Sequence, residues 1–534
     1  ELAEHYAQST DAADLGKALQ YSEAAAERAT SVFAYGEAER HLEQALKVQE
    51  VLDPDDRARR CDLLLALGRV MLPGEEPGRA AATVAPEAFT LAEALGDSGL
   101  AARAAVNALE AMIRSGGTGA AVASREFQQW AERADQYAAA GTRERIYADV
   151  CLGLHTVGAG RPAAGHVFLR RAVEAASQGD DNGAFFMAAS WTVSRLAALE
   201  DRPRRIALAE EVLRRSRQGA RTIDVGVSLG NCGEVFLYKA DRETAEAAWQ
   251  ELAELAERSR DATLNLASGE VAIITALYDG RLEEVESLYA QQMALGQQLG
   301  VQISFAAWQR IVRALLLRGL AETPEWILSV AQGGRPMLAM RAQYLAHLGR
   351  HEEARAIRER FGDIGSDSDS SAGWILVMLL EAAVLGKDAD TAGAIADRLE
   401  RSPGFAFEAG GLCVPRLRGG AAMLLGEPDK ARACYQEAIE VCMKVRCRPE
   451  LALTHLELAE LLLDEANGNQ PSAISTPPAA QGQASSRPTA DKLTADSARA
   501  EALAHLDLAI GEFRDMKMQP ALERALRHKD VLKA

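Results

Sequence analysis

The stretch Gly411–Val441, GLCVPRLRGGAAMLLGEPDKARACYQEAIEV, decides the fold. It reads as two short helices joined by a tight turn. Leu417 and Gly419 lie on the first helix, whose apolar run ends at Leu424–Leu425. Gly426–Glu427–Pro428–Asp429 then stops it, because glycine frees the backbone and proline cannot continue a hydrogen-bonded helix. In the second helix Ala431, Tyr435 and Ala438 are spaced by four and three, one face of a 3.6-residue period. Gly419 precedes Ala431 by twelve residues. In an antiparallel pair, two small residues so placed let the backbones approach, with Tyr435 filling the space beside them.

The same spacing recurs at Gly68 and Ala80, Gly153 and Gly165, and Gly233 and Ala245. Four residues after each second member stands a bulky side chain: Val84, Leu169 and Trp249. Ala38, Leu42 and Ala45 repeat the second-helix face near the start, and Ala502, Leu506 and Ala509 repeat it near the end. Turn glycines fall at Gly160, Gly280, Gly349 and Gly426. The marked positions Ala38, Ala80, Gly165, Ala245, Val285, Ala354, Ala431 and Ala502 follow at intervals of roughly forty residues, or about twice that where a repeat is degenerate. Small residue, Leu–Gly turn, alanine, aromatic, alanine resembles a tetratricopeptide (TPR) helical hairpin, whose usual period is about 34 residues. The expected architecture is all-α, an α-α superhelix: a TPR-like solenoid of about a dozen irregular hairpins.

Composition agrees with a solenoid, in which 534 residues extend one core lengthwise instead of dividing into globular units. Hydrophobic residues make up 48% and aromatics 5%, which suits Ala/Leu-rich helix packing. The formal charge of −18 argues against a nucleic-acid or anionic-membrane surface, both of which draw on positive clusters. No apolar run approaches the roughly 18–20 residues that span a bilayer. No secretory signal opens the chain, so a cytoplasmic location is expected. Glu1 begins already in a helical pattern with Leu2 and Tyr6, which suggests a piece of a longer protein.

The seven cysteines contain no CxxC and are read as reduced core thiols. Cys434, Cys442 and Cys447 are close in sequence, but no His or Cys completes a zinc spacing. The organisation expected is an N-terminal superhelix over 1–362, a polar boundary loop over 363–372 and C-terminal repeats over 373–534. Within the last part, a segment over 466–496 rich in Pro, Ser, Ala and Gln buries too little apolar surface to order itself and is expected to be a disordered insertion. A final helix over 520–533 is expected to cap the end of the core.

Two stretches carry a closer resemblance. LAEHYAQS with KALQYSEAAAERATSVFAYGEAERHLEQAL resembles the start of the TPR region of large bacterial signalling ATPases. RACYQEAIEVCMKVRCRPELALTHLELAELLL with ALAHLDLAIGEFRDMKMQPALERAL resembles its end. In that family a STAND-type ATPase module precedes the solenoid, and a LuxR-type DNA-binding domain or a class III adenylate/guanylate cyclase supplies the output; MalT-like regulators are its sugar-sensing example. The resemblance implies an ATPase domain in cis, upstream of Glu1. It also implies that this region is a non-catalytic sensor or scaffold arm recognising a protein, a peptide or a small inducer. The alternative is a free-standing or self-associating TPR scaffold.

Motifs for chemistry are absent. There is no GxxxxGK[ST], HExxH or GxSxG, and no cofactor, metal or catalytic residue is expected. His347 and His351 are four apart, but Gly349 at a predicted turn keeps them off one helical face. Arg202, Arg204, Arg205, Arg214, Arg215, Arg217 and Arg221 form a run in an otherwise acidic chain, with Arg204 and Arg215, or Arg214 and Arg221, expected to share a helix face. The run either receives an acidic partner or forms a solvated face paired with Glu200, Glu210 and Glu211, and the second reading is preferred. By resemblance, first helices line the concave groove, and projection from Gly153, Gly233 and Gly419 selects Tyr147, Glu234, Tyr238 and Arg416 as groove residues.

Overall fold

The turn glycines set the hairpins. Gly160, Gly280, Gly349 and Gly426 have φ of +80°, +77°, +75° and +75°, the left-handed region in which a Cβ crowds the neighbouring carbonyl. Each reverses the chain between two antiparallel helices, as its position in the sequence predicts. The structure is a computed structural model describing residues 6, 11–73, 76–116, 120–299, 305–320, 334–366, 369, 371–467 and 488–533, with backbone alone at 116, 120, 299, 305, 488–494 and 533.

Helices pair in chain order. α1 (Ala12–Ser31) packs on α2 (Tyr35–Leu52). α3 (Arg57–Met71) packs on a helix made of α4 (Pro77–Arg79), a π-turn (Ala80–Val84) and α5 (Ala85–Leu95). α6 (Ser98–Gly116) is followed by α7 (Ala120–Ala123) and faces α8 (Arg125–Tyr137). α9 (Arg143–Gly158) pairs with α10 (Pro162–Gln178). α11 (Asn182–Thr192) and α12 (Arg202–Arg214) form the loosest hairpin, joined through an irregular turn. α13 (Thr222–Tyr238) pairs with α14 (Arg242–Ser259), and α15 (Ala262–Tyr278) with α16 (Leu282–Leu299).

After α17 (Phe305–Arg318) come α18 (Arg335–His347) and α19 (His351–Arg358), then α20 (Gly373–Leu385) with α21 (Ala389–Glu400). α22 (Val414–Leu424) pairs with α23 (Pro428–Val445), and α24 (Arg448–Ala466) with α25 (Pro488–Asp515), before α26 (Gln519–Lys533). The fold is an all-α superhelix of TPR-like hairpins.

All the marked second-helix positions are buried: Ala38, Ala80, Gly165, Ala245, Val285, Ala354, Ala431 and Ala502. The close approach behind the twelve-residue spacing is direct. A Cβ on Gly153 would lie 3.1 Å from the Gly165 carbonyl oxygen, and one on Gly165 would lie 2.8 Å from that of Gly153. At Gly233 a Cβ would run into the Trp249 indole, and at Gly419 it would stand 2.5 Å from the Tyr435 ring. Each bulky residue four places on therefore occupies the volume its partner glycine leaves open.

Gly411 does not begin a helix. Ala409, Gly410 and Gly411 all have positive φ and turn the chain between β1 (Phe407–Glu408) and β2 (Leu412–Cys413), an antiparallel ladder pairing Phe407 with Cys413. The helix starts only at Val414, with Pro415 in its first turn, where the missing N–H costs nothing.

The hairpins do not run on as an open rod. Phe405, Phe407, Cys413, Cys442, Val445 and Cys447 share one core with Val225–Tyr278 of the middle repeats. Another core joins α15 and α17 to α24, α25 and α26. Met516 seats on Gly280, and Pro520 on Gly319 at 2.6 Å from where a Cβ would stand. Helix α26, expected at the end of the core, lies against α17 as well as α24 and α25. The expected insertion falls mainly on residues 468–487, outside the described residues; α25 is already helical at Pro488.

Candidate functional site

The inner faces of the first helices meet through buried ions. In the C-terminal half, Arg313 of α17 donates to Glu381 of α20 at 2.9 Å and to Glu450 of α24 at 2.6 Å. Arg416 of α22 donates to the same Glu450 at 2.7 Å and to Glu457 at 2.8 Å. Gln343 and His347 of α18 complete the shell around Glu381, at 2.6 and 3.2 Å. The backbone N–H of Cys413 gives Glu450 a further donor at 3.1 Å. Burial works against both arginines, yet the facing carboxylates hold their guanidinium groups above the usual pKa. Burial by itself would raise Glu381, but Arg313, His347 and Arg416 outweigh it and hold the carboxyl well below its ordinary range. Glu457, more weakly compensated, is raised by burial.

A second bridge closes the N-terminal half. Arg221, at the start of α13, donates to Glu110 of α6 at 2.7 and 2.9 Å and to Asp224 at 2.7 Å. Arg114 of α6 stands 3.5 Å from Asp261, which caps α15. Burial raises the Asp224 carboxyl against the pull of Arg221.

Between these bridges lies the face chosen from the sequence. Glu234 accepts from Arg310 at 2.8 Å and from the Tyr238 hydroxyl at 3.2 Å. That face is occupied by the chain's own β-hairpin. Phe405 packs edge-on to Tyr238 at 5.8 Å, Phe407 lies 5.6 Å from Tyr278, and the Ala406 N–H donates to the Tyr238 carbonyl at 2.7 Å. Arg202 anchors the hairpin from the opposite side, 2.9 Å from Glu408.

The structure thus brings Glu234 and Tyr238 together and sets Arg416 in the adjoining ion network. Tyr147 lies apart, buried beside Cys151 on α9. Tyr147, Tyr238 and Arg416 are 1%, 8% and 4% exposed, so they line no open groove. The arginine run is dispersed. Arg204 pairs with Asp201 at 3.1 Å, and Arg215 with Glu211 at 2.8 Å while lying over Phe185. Arg217 pairs with Glu251 at 3.0 Å, and Arg214 is exposed at the end of α12. Arg214 and Arg221 do not share a helix face, because α12 ends before the break that precedes α13. Of the three expected partners, only Glu211 serves the run; Glu200 pairs with Arg398 and Glu210 with Lys239.

Arg310, Arg313, Glu381 and Glu450 escaped the sequence reading, yet a signal exists. Glu381 is the sole charge in WILVMLLEAAVL (Trp374–Leu385), and Arg310 and Arg313 interrupt the apolar face of α17. A charge that cannot leave a core must be paired there.

The thiols are buried, and Cys413 rather than Cys434 joins Cys442 and Cys447. Contact with Cys413 and Cys447, then burial, drives the Cys442 thiol far up and keeps it protonated. Among the described residues no three His, Cys, Asp or Glu side chains are placed to hold a metal ion, and no helix is long and apolar enough to cross a membrane. Two shallow depressions of 280 and 320 Å³ mark the surface, one beside Gly280–Glu284 and Asp515–Lys517, the other between Leu213 and Glu251.

No protein-family model matches this chain, and no curated protein matches it. Among solved structures it is similar to the crystal structure of the APC/C hetero-tetramer Cut9–Hcn1, at 12% identity and a TM-score of 0.44, over 95% of this chain and 96% of that one.

Proposed function

We propose that this chain is a non-catalytic protein-binding scaffold, the sensor or scaffold arm of a larger bacterial signalling ATPase acting in the cytoplasm. The observation that carries the scaffold reading is the ion network joining α17, α18, α20, α22 and α24. Paired charges on five first helices hold the hairpins at fixed angles, so the outer faces present partners with a rigid, continuous surface. Because the chain's own β-hairpin fills the inner face beside Glu234 and Tyr238, a protein partner binds on the outer helices rather than as a threaded peptide or inducer. The ATPase reading rests on the sequence resemblance at both ends of the chain.

Sequencing the reading frame upstream of Glu1 tests the arm. A P-loop ATPase module there supports it, and a start codon within a few residues overturns it in favour of a free-standing adaptor. Light scattering across a concentration series tests the self-associating alternative: a mass that stays at 57.3 kDa throughout removes it.

A further inference from the structure

Arg205 is the buried arginine of the run that has no counter-charge. It lies on α12, three residues after Arg202, and is 6% exposed. Its neighbours are each matched: Arg202 with Glu408 at 2.9 Å, Arg204 with Asp201 at 3.1 Å and Arg398 with Glu200 at 2.6 Å. Among the described residues no oxygen accepts from the Arg205 guanidinium, and its Nε is enclosed without an acceptor. What it does meet is aromatic: the Phe405 ring, 5.4 Å away, which Arg202 shares at 5.3 Å.

A ring face eases the burial of a cation but gives it no hydrogen-bond acceptor. A guanidinium does not lose its proton, so the positive charge stays in place, and a charge held away from water calls for an anion. The surroundings say which kind. Only Nε is wholly enclosed, so the two Nη groups form the outward edge, a fork that matches the paired oxygens of a carboxylate. Glu408 already neutralises Arg202, so a single positive charge is left over. A monoanion cancels that charge, whereas a phosphate dianion would leave a net negative charge beside the buried Glu408. The segment before Phe405 lies directly on α12: a Cβ on Gly404 would stand 3.4 Å from Ile206 Cδ1, and Arg202 donates to the Ser402 carbonyl. With so little of Arg205 reaching solvent beneath this segment, the fork admits a small acid.

We infer that Arg205 and the Phe405 ring form a binding site for a small monocarboxylate, held by the Nη1–Nη2 fork with its alkyl part against the ring. The bound acid supplies the missing counter-charge and ties α12 to the segment that leads into β1. The site is independent of the scaffold proposal, because that reading assigns Arg205 no part.

The test is saturation-transfer-difference NMR on the full chain with sodium acetate in chloride-free Tris sulfate, irradiating the aromatic protons. The acetate methyl signal is expected to gain saturation, and the effect should fall at least fivefold in Arg205→Gln. Arg214→Gln, which removes an exposed arginine of the same helix, should leave it unchanged. Acetamide, the neutral isostere, should show no saturation in the unsubstituted protein, a contrast that holds even where a variant fails to fold. No saturation of acetate, an equal signal from acetamide, or a signal retained in Arg205→Gln would each overturn the proposal and leave Arg205 satisfied by the ring and water alone. Displacement of acetate by a capped Ala-Glu-Ala peptide as readily as by formate would overturn the free acid in favour of a partner's side chain.

Discussion

Arg313 and Arg416, on helices α17 and α22, grip one carboxylate, Glu450, from two sides at 2.6 and 2.7 Å. Glu450 is 2% exposed, so neither arginine can turn to water if it is lost. Removing one member of a buried ion set typically costs about 3–5 kcal/mol, because the charges left behind stay desolvated. Glu450→Leu is therefore expected to lower unfolding free energy by about that much, read as the urea midpoint shift. Replacing Arg313, Arg416 and Glu450 together by apolar residues of similar volume should destabilise far less than the single change. A Glu450→Leu midpoint equal to that of the parent chain would refute the network's part in rigidity.

Tyr435 fills the space that Gly419 leaves between α22 and α23, with its ring 2.5 Å from where a Cβ would stand. Tyr435→Ala removes a buried aromatic and is expected to cost about 3–5 kcal/mol. Gly419→Val should cost about 1–3 kcal/mol for the opposite reason, overfilling the same volume. If the two sites are one packing unit, the double variant Gly419→Val with Tyr435→Ala recovers part of the loss. Simple additivity of the two penalties in thermal unfolding would show that they act separately.

This pairing also shows why so much of the fold was legible. The Gly153–Gly165 and Gly419–Ala431 approaches are set by a fixed offset within one hairpin, and Leu169, Trp249 and Tyr435 follow at a second fixed offset. Such local rules repeat down the chain. The closure of the superhelix does not. Arg221 finds Glu110 from 111 residues away, and Arg202 finds Glu408 from 206 residues away. No periodicity encodes those distances, which accumulate from small rotations at every hairpin. Glu234 and Tyr238 lie on the face of α13 that the segment Phe405–Cys413 covers, and that segment is short, contains three residues at positive φ and carries no helical period.

The histidine pair predicts an acid response with a definite sign. Burial, then His505, pushes His455 from 6.5 down to about 4. Between those values the unfolded chain takes up a proton that the folded chain refuses, so stability falls as pH drops from about 6.5 towards 4. Thermal unfolding should show this decline, and His455→Gln should flatten it over the same window. Glu381 acts lower on the scale. Its depressed carboxyl contributes stability above its unfolded value of 4.5 that is lost only as pH falls further. A decline in that upper window that persists undiminished in His455→Gln would assign it to other groups.

The N-terminal bridge gives a prediction about shape. Arg221 joins α13 to Glu110 on α6, and Arg114 on α6 reaches Asp261 at the start of α15. These charged contacts join helices far apart in the chain, whereas the two helices of one hairpin are held by apolar packing such as Trp249 on Gly233. Removing the bridge should therefore spare the hairpins and relax the turn. Arg114→Ala with Arg221→Ala is expected to keep the helical circular dichroism of the parent chain while its radius of gyration in X-ray scattering increases. The increase should also appear in the parent chain at high salt, though less strongly, because Arg221 is partly exposed and its partners are partly screened. Identical scattering curves for the double variant and the parent would mean that apolar stacking alone fixes the curvature.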